Sequence, residues 1–323
     1  DSEGSIGAIQ DPVANETLNY SYDVLDRLTG VSGAYSQSYS YNTATDNLES
    51  KTGLGSYSYT DPAHIHAVTG LDGTPRYAYD ANGNMTSRVV GRLTYSMIYD
   101  AENHLVEIQQ GSTMVARYVY DGDGARVLTK LGNNDITITL GDTFEVFIDA
   151  DYTPTPPRNT CTNCTHKVYL PVVIDQTEKP ATGQVWRTYY YADGQRVAMR
   201  VKSNQDGVED GIFYFLTDHL GSTAITLDPS GNLVSELRYS AWGETRTSTG
   251  VTPTQRRYTG QLEAEAGLYF YNTRWYDPLL SRFVQADSMA PDQSVGTTPS
   301  GNPTTLPGRP KRSMRNGRTP APR

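Results

Sequence analysis

A block of the form Tyr-x-Tyr-Asp recurs about every twenty residues from the start of the chain. In order the blocks are Tyr20-Ser21-Tyr22-Asp23, Tyr39-Ser40-Tyr41-Asn42, Tyr57-Ser58-Tyr59-Thr60, Tyr77-Ala78-Tyr79-Asp80, Tyr95 with Tyr99-Asp100, and Tyr118-Val119-Tyr120-Asp121. The second tyrosines are 19, 18, 20, 20 and 21 residues apart. A period of this length means one supersecondary unit used repeatedly, each copy burying its face on the next. Tyrosines two apart lie on one face of a strand. Their rings bury apolar area and keep a polar tip. The Asp or Asn that follows starts a turn, and Gly or Asn then supplies positive φ. Asp80–Thr86 and Asp121–Val127 show both the turn and the returning strand. Each unit therefore reads as a β-hairpin whose return strand ends near Leu28-Thr29, Leu48, Met85-Thr86, Leu105-Val106 or Val127-Leu128. Hairpins side by side predict an all-β fold, one long curved antiparallel sheet with tyrosines packed on one face and the other face exposed.

Composition agrees with strands and turns. Among 323 residues there are 24 Tyr, only 6 Phe and 3 Trp, and 29 Gly. No run of eighteen apolar residues occurs, so no membrane-spanning helix is expected. The net charge of −9 disfavours nonspecific nucleic-acid binding. That charge is uneven. Residues 288–323 carry Arg309, Lys311, Arg312, Arg315, Arg318 and Arg323 against Asp292, which leaves −14 on residues 1–287. Seven of the 18 prolines also fall in this tail, which reads as a basic, Pro-rich, disordered end. A chain that opens on Asp1, with no signal peptide, reads as a piece of something longer.

Beyond Val185 the repeats resume in altered form. Tyr189–Val197 reads as strand, turn and strand. Tyr214 to Asp218-His219-Leu220-Gly221-Ser222 follows, then a turn at Asp228-Pro229-Ser230-Gly231, then Tyr239–Glu244. The last stretch is Gly267-Leu268-Tyr269-Phe270-Tyr271-Asn272-Thr273-Arg274-Trp275-Tyr276-Asp277-Pro278, ending Ser281-Arg282-Phe283-Val284-Gln285-Ala286-Asp287.

The repeats resemble the YD repeat of the RHS family, found in bacterial polymorphic toxins, in wall-associated proteins and in animal teneurins. Residues 184–287 resemble the RHS repeat-associated core domain, which pairs an Asp-His-Leu-Gly-Ser motif with a later Gly-Leu-Tyr…Arg-x-Tyr-Asp-Pro stretch. Here Ser281 stands for the usual Gly and Trp275 for a usual Tyr. The resemblance implies a C-terminal part of a spiralling β-shell that encloses a passenger toxin or effector. It implies structural roles for Tyr20, Tyr22, Asp23, Tyr77, Tyr79, Asp80, Tyr118, Tyr120, Asp121, Asp218, His219, Gly221, Gly267, Tyr269, Tyr271, Arg274, Tyr276, Asp277, Pro278, Arg282, Phe283 and Asp287. His219 is expected to be held by backbone in a turn. Bacterial members carry a further Asp-Pro-x-Gly-Leu boundary motif whose aspartates support self-cleavage. It is missing here, since Asp228-Pro229 and Asp277-Pro278 match only in part and sit too early. No self-cleavage is expected, and the abrupt change at Asp287 reads as a frameshifted or recombined end.

Other motifs carry weaker chemistry. Cys161-Thr162-Asn163-Cys164 with His166 has the spacing of half a zinc knuckle, with no second pair in reach. A local disulfide and a plain loop pair are the alternatives. These residues sit in a Pro-rich insertion, within which Lys167–Ile174 could form an edge strand. Asp218-His219 offers an acid–base pair without a nucleophile motif. His64 and His66 alternate, but Pro62 interrupts any strand there. Asp121-Gly122-Asp123-Gly124 lacks the remaining ligands of a calcium loop.

The resulting expectation has four parts: YD-repeat hairpins at 1–149, an insertion at 150–183, the core at 184–287 and the tail at 288–323. The expected role is a secreted or cell-surface shell segment without catalysis or cofactor, its partner a passenger toxin or effector. An excised piece of this size is expected to be an open sheet with sticky edges. The rival reading is a glycan-binding or adhesion module, since tyrosine rings on a strand face suit sugar stacking.

Overall fold

The computed structural model describes residues 5–151 and 179–286. Its strands are antiparallel and follow chain order, and within each ladder every strand pairs with its neighbours in sequence. Three ladders result, of eight, fourteen and four strands. The first runs from Ala8–Asp11 to Thr74–Pro75. The second runs from Tyr77–Tyr79 to Thr245–Gly250, and the third from Leu262–Glu263 to Arg282–Phe283. The all-β hairpin array expected from the period is therefore what forms.

The period has a local cause visible in every unit. In the turn that opens at Asp80, the N–H of Asp80 donates to the Asn84 carbonyl and the N–H of Gly83 returns to the Asp80 carbonyl. The same pair of bonds closes the turns at Asp23, Asp100, Asp121, Asp218 and Asp228 wherever the fourth residue donates to the first. That fourth residue has positive φ, as in Asp26, Gly83, Asn103, Gly124, Gly221 and Gly231, which is why Gly and Asn recur there. The aspartate adds a second function. One carboxylate oxygen accepts two main-chain N–H groups, those of Asn82 and Asn84 for Asp80 and those of Asp123 and Ala125 for Asp121. Next to each turn the pairing register slips, between Ser21 and Tyr22, Ile98 and Tyr99, or Val119 and Tyr120. The extra residue of each bulge, Thr29, Val106 or Val127, sits on the return strand opposite the second tyrosine.

The two tyrosines of a block have different jobs. The first is buried in the core, as Tyr39, Tyr57, Tyr77 and Tyr118 show. The second reaches back and donates its hydroxyl to the main chain of the preceding repeat. Tyr41 bonds to the Leu28 carbonyl at 2.9 Å, Tyr59 to Leu48 at 2.7 Å, Tyr79 to Val68 at 2.9 Å and Tyr120 to Leu105 at 2.7 Å. Each such bond ties one hairpin to the next outside the strand ladder.

The array departs from a single uniform sheet in two ways. The first ladder ends at Pro75, in its strand Thr74–Pro75, and the second begins at Tyr77. Proline has no N–H to give the ladder. In the second ladder, Phe144–Ile148 pairs directly with Gln184–Ala192, so one sheet runs through the expected boundary between repeats and core. Both faces pack there: Val185 and Tyr189 on one side, Val146 and Trp186 on the other. One buried and one exposed face therefore holds for the repeats and not for this region.

The short third ladder lies on the tyrosine face of the repeats. Leu268, Phe270, Trp275, Leu280 and Val284 join one hydrophobic core with Leu28, Tyr39, Tyr57, Met85, Leu105 and Tyr118. Trp275 sits 4.7 Å from the Tyr118 ring and 5.1 Å from that of Phe270, centre to centre. Arg126 lies over Tyr118, Phe270 and Trp275 at 5.3, 4.8 and 5.3 Å. Buried aromatics of this size dominate the energetics of such a contact.

Candidate functional site

Two places bring distant motif residues together. The first is a buried polar clasp beneath the third ladder. Strand Arg274–Asp277 carries Asp277 into the core, where it is fully buried. Arg88, from strand Met85–Val90, meets one of its oxygens with Nε and Nη2, each at 2.8 Å. Another guanidinium nitrogen of Arg88 donates to the Ala266 carbonyl. The second Asp277 oxygen accepts the N–H groups of Leu279 and Leu280 at 2.9 and 3.2 Å. The carboxylate is thus saturated by a cation and two amides.

Lys51 completes the clasp from the other side. Its buried ammonium donates to the carbonyls of Pro278 and Leu279 at 3.2 and 2.9 Å and to Ser281 Oγ at 3.1 Å. It also pairs with Glu244 at 2.5 Å. Burial pulls the Lys51 pKa below the usual lysine value, and Glu244 opposes that pull. Further ties hold the rest of the motif. Tyr118 donates to Glu265 at 2.9 Å, Trp275 Nε1 to the Tyr120 hydroxyl at 3.2 Å and Tyr276 to the Trp242 carbonyl at 2.9 Å. Arg282 donates to the His66 carbonyl at 2.9 Å. Chemically, this arrangement fixes a strand; among the described residues it presents no nucleophile beside a free acid or base.

The second place is a cleft of about 370 Å³ where the two ends of the array approach each other. Ile9, Leu18, Tyr20 and Tyr22 line one wall, and Leu220, Ile225, Leu237 and Tyr239 the other. The ladders do not join across it. Side chains bridge it instead: Arg238 meets Asp11 at 3.2 Å, and Arg246 takes Glu16 with two nitrogens, one at 3.1 Å. Tyr35 also accepts the Ala241 N–H at 2.8 Å. The sheets are open, as expected, with these edges unpaired, and charged side chains draw the edges together.

The placement of the sequence candidates follows from these two sites. Tyr77, Tyr118, Asp277, Pro278 and Arg282 converge under the third ladder, whereas Tyr269, Tyr276 and Phe283 form a separate aromatic cluster with Tyr258 and Tyr239. Tyr271 stacks edge-on against Tyr276 and Phe283, and the Arg274 guanidinium lies 4.1 Å over the Phe283 ring. Tyr20, Tyr22, Asp218 and His219 meet at the cleft although some two hundred residues separate them. Asp218 accepts the N–H groups of Leu220 and Ser222, and Gly221 carries the positive φ of that turn. His219 differs from its expectation: it is exposed at the cleft, and among the described residues no backbone group holds its ring. His64 and His66 serve separate partners, Asp61 at 2.8 Å and Asn47 at 2.9 Å, so they form no common site. Cys161, Cys164, His166, the Lys167–Ile174 segment and Asp287 lie outside the described residues.

Sequence reasoning passed over Lys51, Arg88 and Glu244. A single charged residue inside a strand, as Lys51 and Arg88 are, was the available signal, and it does not name its partner.

Residues 167–308 match the Teneurin YD-shell family model. The chain is 28% identical over 218 residues to the tRNA3(Ser)-specific nuclease WapA of Bacillus spizizenii, covering 65% of this chain and 8% of that protein. It is 37% identical over 92 residues to Salivary gland surface protein 1 of Aedes aegypti, covering 26% of this chain and 3% of that one. This sequence therefore spans a small part of the relatives it matches. Among solved structures it resembles the Photorhabdus luminescens Tc holotoxin pore, with a TM-score of 0.55 at 18% identity, over 92% of this chain and 13% of that chain. The period, the core motifs and the hairpin array agree with these matches, and residues 167–308 resemble the Teneurin YD-shell family.

Proposed function

We propose that this chain is a wall segment of a shell that encloses a passenger polypeptide, a toxin or effector, and that it works by enclosure without chemistry of its own. One observation carries the reading: the core motif packs onto the tyrosine face while the two ends of the array are drawn together at the cleft. A strand array held from inside and bridged at its ends suits a container. The Tc holotoxin and WapA names of similar proteins support a toxin as the enclosed passenger and a secreted or cell-surface setting. Among the described residues no helix is long and apolar enough to cross a membrane.

The enclosure is tested in the full-length protein. The polypeptide joined beyond the shell region should resist protease while the shell is folded and be digested once it is denatured. Equal digestion in both states contradicts the proposal. The passive role is tested by mass: purified chain should keep a single mass on incubation, as should Asp277→Asn. A cleavage product that disappears in Asp277→Asn would overturn it. The glycan reading keeps one foothold, since Tyr190 and Tyr214 are exposed on either side of buried Ala198. Binding on a glycan array that is lost in Tyr190→Ala with Tyr214→Ala would favour it.

A further inference from the structure

Hairpins laid in order put alternate turns along the same rim. One rim of the repeat array carries the turns at 23–27, 42–47, 80–84, 100–104 and 121–125, with the loop at 59–69 among them. Contacts between successive turns show that they form one continuous row. Arg27 reaches Asp46 at 2.8 Å, His66 reaches Asn47 at 2.9 Å and Asn84 reaches Asn103 at 2.8 Å. The His64 ring comes within 3.2 Å of where a β-carbon on Gly83 would sit, and His104 Nε2 stands equally near Gly124.

This row is strongly acidic. It holds Asp23, Asp26, Asp46, Asp61, Asp80, Asp100, Glu102, Asp121 and Asp123, nine carboxylates, against the guanidinium of Arg27 and that of buried Arg282, which reaches in to His66 and Asn47. The turns on the opposite rim hold Asp72 and Asp135 against Arg92. The contrast comes from the repeat itself, because the turn aspartate always falls on the same side.

The described chain ends at this rim. Gln285 Nε2 donates to the Asn103 carbonyl at 2.6 Å. The Ala286 methyl lies 3.4 Å from the β-carbon position of Gly83. Beyond it come the six cations Arg309, Lys311, Arg312, Arg315, Arg318 and Arg323. The linking residues can span up to about 70 Å when extended. Four hairpins, from the turn at 100–104 back to that at 23–27, cover only about 40 Å at two strand spacings each. The cations can reach every turn in the row.

We propose that the basic tail, residues 288–323, docks along the acidic turn rim of its own chain. The attraction is between charges at an exposed surface, so it weakens as salt shortens the screening length from about 10 Å at 0.1 M to about 3 Å at 1 M. Docking in cis shields the rim and blocks other cationic chains from it.

Lys311 is the one lysine of the tail and allows a direct test with the full chain. A carbodiimide joins an amine to a carboxylate only when they touch, and peptide mass analysis locates the link. Links from Lys311 should fall on Asp26, Asp100, Glu102, Asp121 and Asp123 at low salt and drop at least fivefold in 1 M NaCl. Their fraction should not depend on protein concentration. Replacing Asp26→Asn, Glu102→Gln and Asp123→Asn together should cut the yield severalfold. None of these three side chains caps its turn, so circular dichroism and the melting midpoint should be unchanged and serve as the folding control. Links spread evenly over Asp72, Asp135 and Asp193, or a yield that rises with concentration, would overturn the proposal.

Discussion

The hydroxyl of Tyr79 donates to the main-chain carbonyl of Val68 at 2.9 Å, across the step from one repeat to the next. Tyr99 occupies the equivalent place one repeat on, yet its buried hydroxyl has no partner among the described residues. There the return strand begins at Met85, whose N–H donates instead to Val284 at 2.9 Å. The core motif enters the array at this step, and the regular tyrosine latch is missing from it.

That difference sets up a paired test. Tyr79→Phe removes a made hydrogen bond and leaves a carbonyl short of its donor, which costs about 1 kcal/mol. Tyr99→Phe removes a buried hydroxyl that has no partner, so it should be neutral or slightly stabilising. Urea unfolding of both variants checks this. Equal losses would show that the hydroxyls are not inter-repeat ties.

The Arg88–Asp277 pair is a buried ion pair, where removing one partner strands the other. Asp277→Ala should destabilise the chain by about 3–5 kcal/mol. The double change Arg88→Met with Asp277→Leu should recover most of that loss, because no charge is then left unpaired. A double-mutant cycle measures the coupling. Additive losses would place the two residues in independent environments.

Alkaline pH should unfold the chain. Burial raises the phenol pKa of both Tyr59 and Tyr77 to about 12, and those of Tyr118 and Tyr258 further. An unfolded tyrosine titrates near 10. The neutral phenols therefore favour the fold fully below pH 10, and this contribution is lost as pH rises toward and through 12. Each such tyrosine removes about 1.4 kcal/mol per pH unit in that window. Absorbance of tyrosinate should rise together with loss of circular dichroism. Smooth titration of most tyrosines near pH 10 in a folded chain would contradict the packing described.

The cleft bridges are partly exposed, and such pairs contribute at most about 1 kcal/mol each. Arg246→Glu should barely move the melting midpoint. It should instead speed hydrogen exchange at Ala8–Asp11, which faces the cleft, and this effect should shrink in high salt. Unchanged exchange would mean that apolar contacts alone hold the ends together.

Hairpins, turns and their phase were legible because they are local. Tyr-x-Tyr-Asp-x-x-Gly encodes a strand, a bulge, a capped turn and a positive φ within seven residues. The partners of Asp277 were not legible. Arg88 lies 189 residues away, and nothing near either residue announces the other. The same holds for Lys51 and the Pro278 carbonyl, 227 residues apart. The meeting of Tyr20 with Asp218 at the cleft depends on the accumulated curvature of some twenty strands, which no short window carries.

The core motif and the repeats form one wall. Native-state hydrogen exchange across a urea series tests it most directly. Amides in Met85–Val90, Thr113–Tyr120, Tyr269–Tyr271 and Arg274–Asp277 should exchange through one shared opening, with a single free energy and a single urea dependence. If Tyr269–Asp277 exchanges through a separate, cheaper opening while the repeat strands stay protected, the motif is an appendage and no part of the wall.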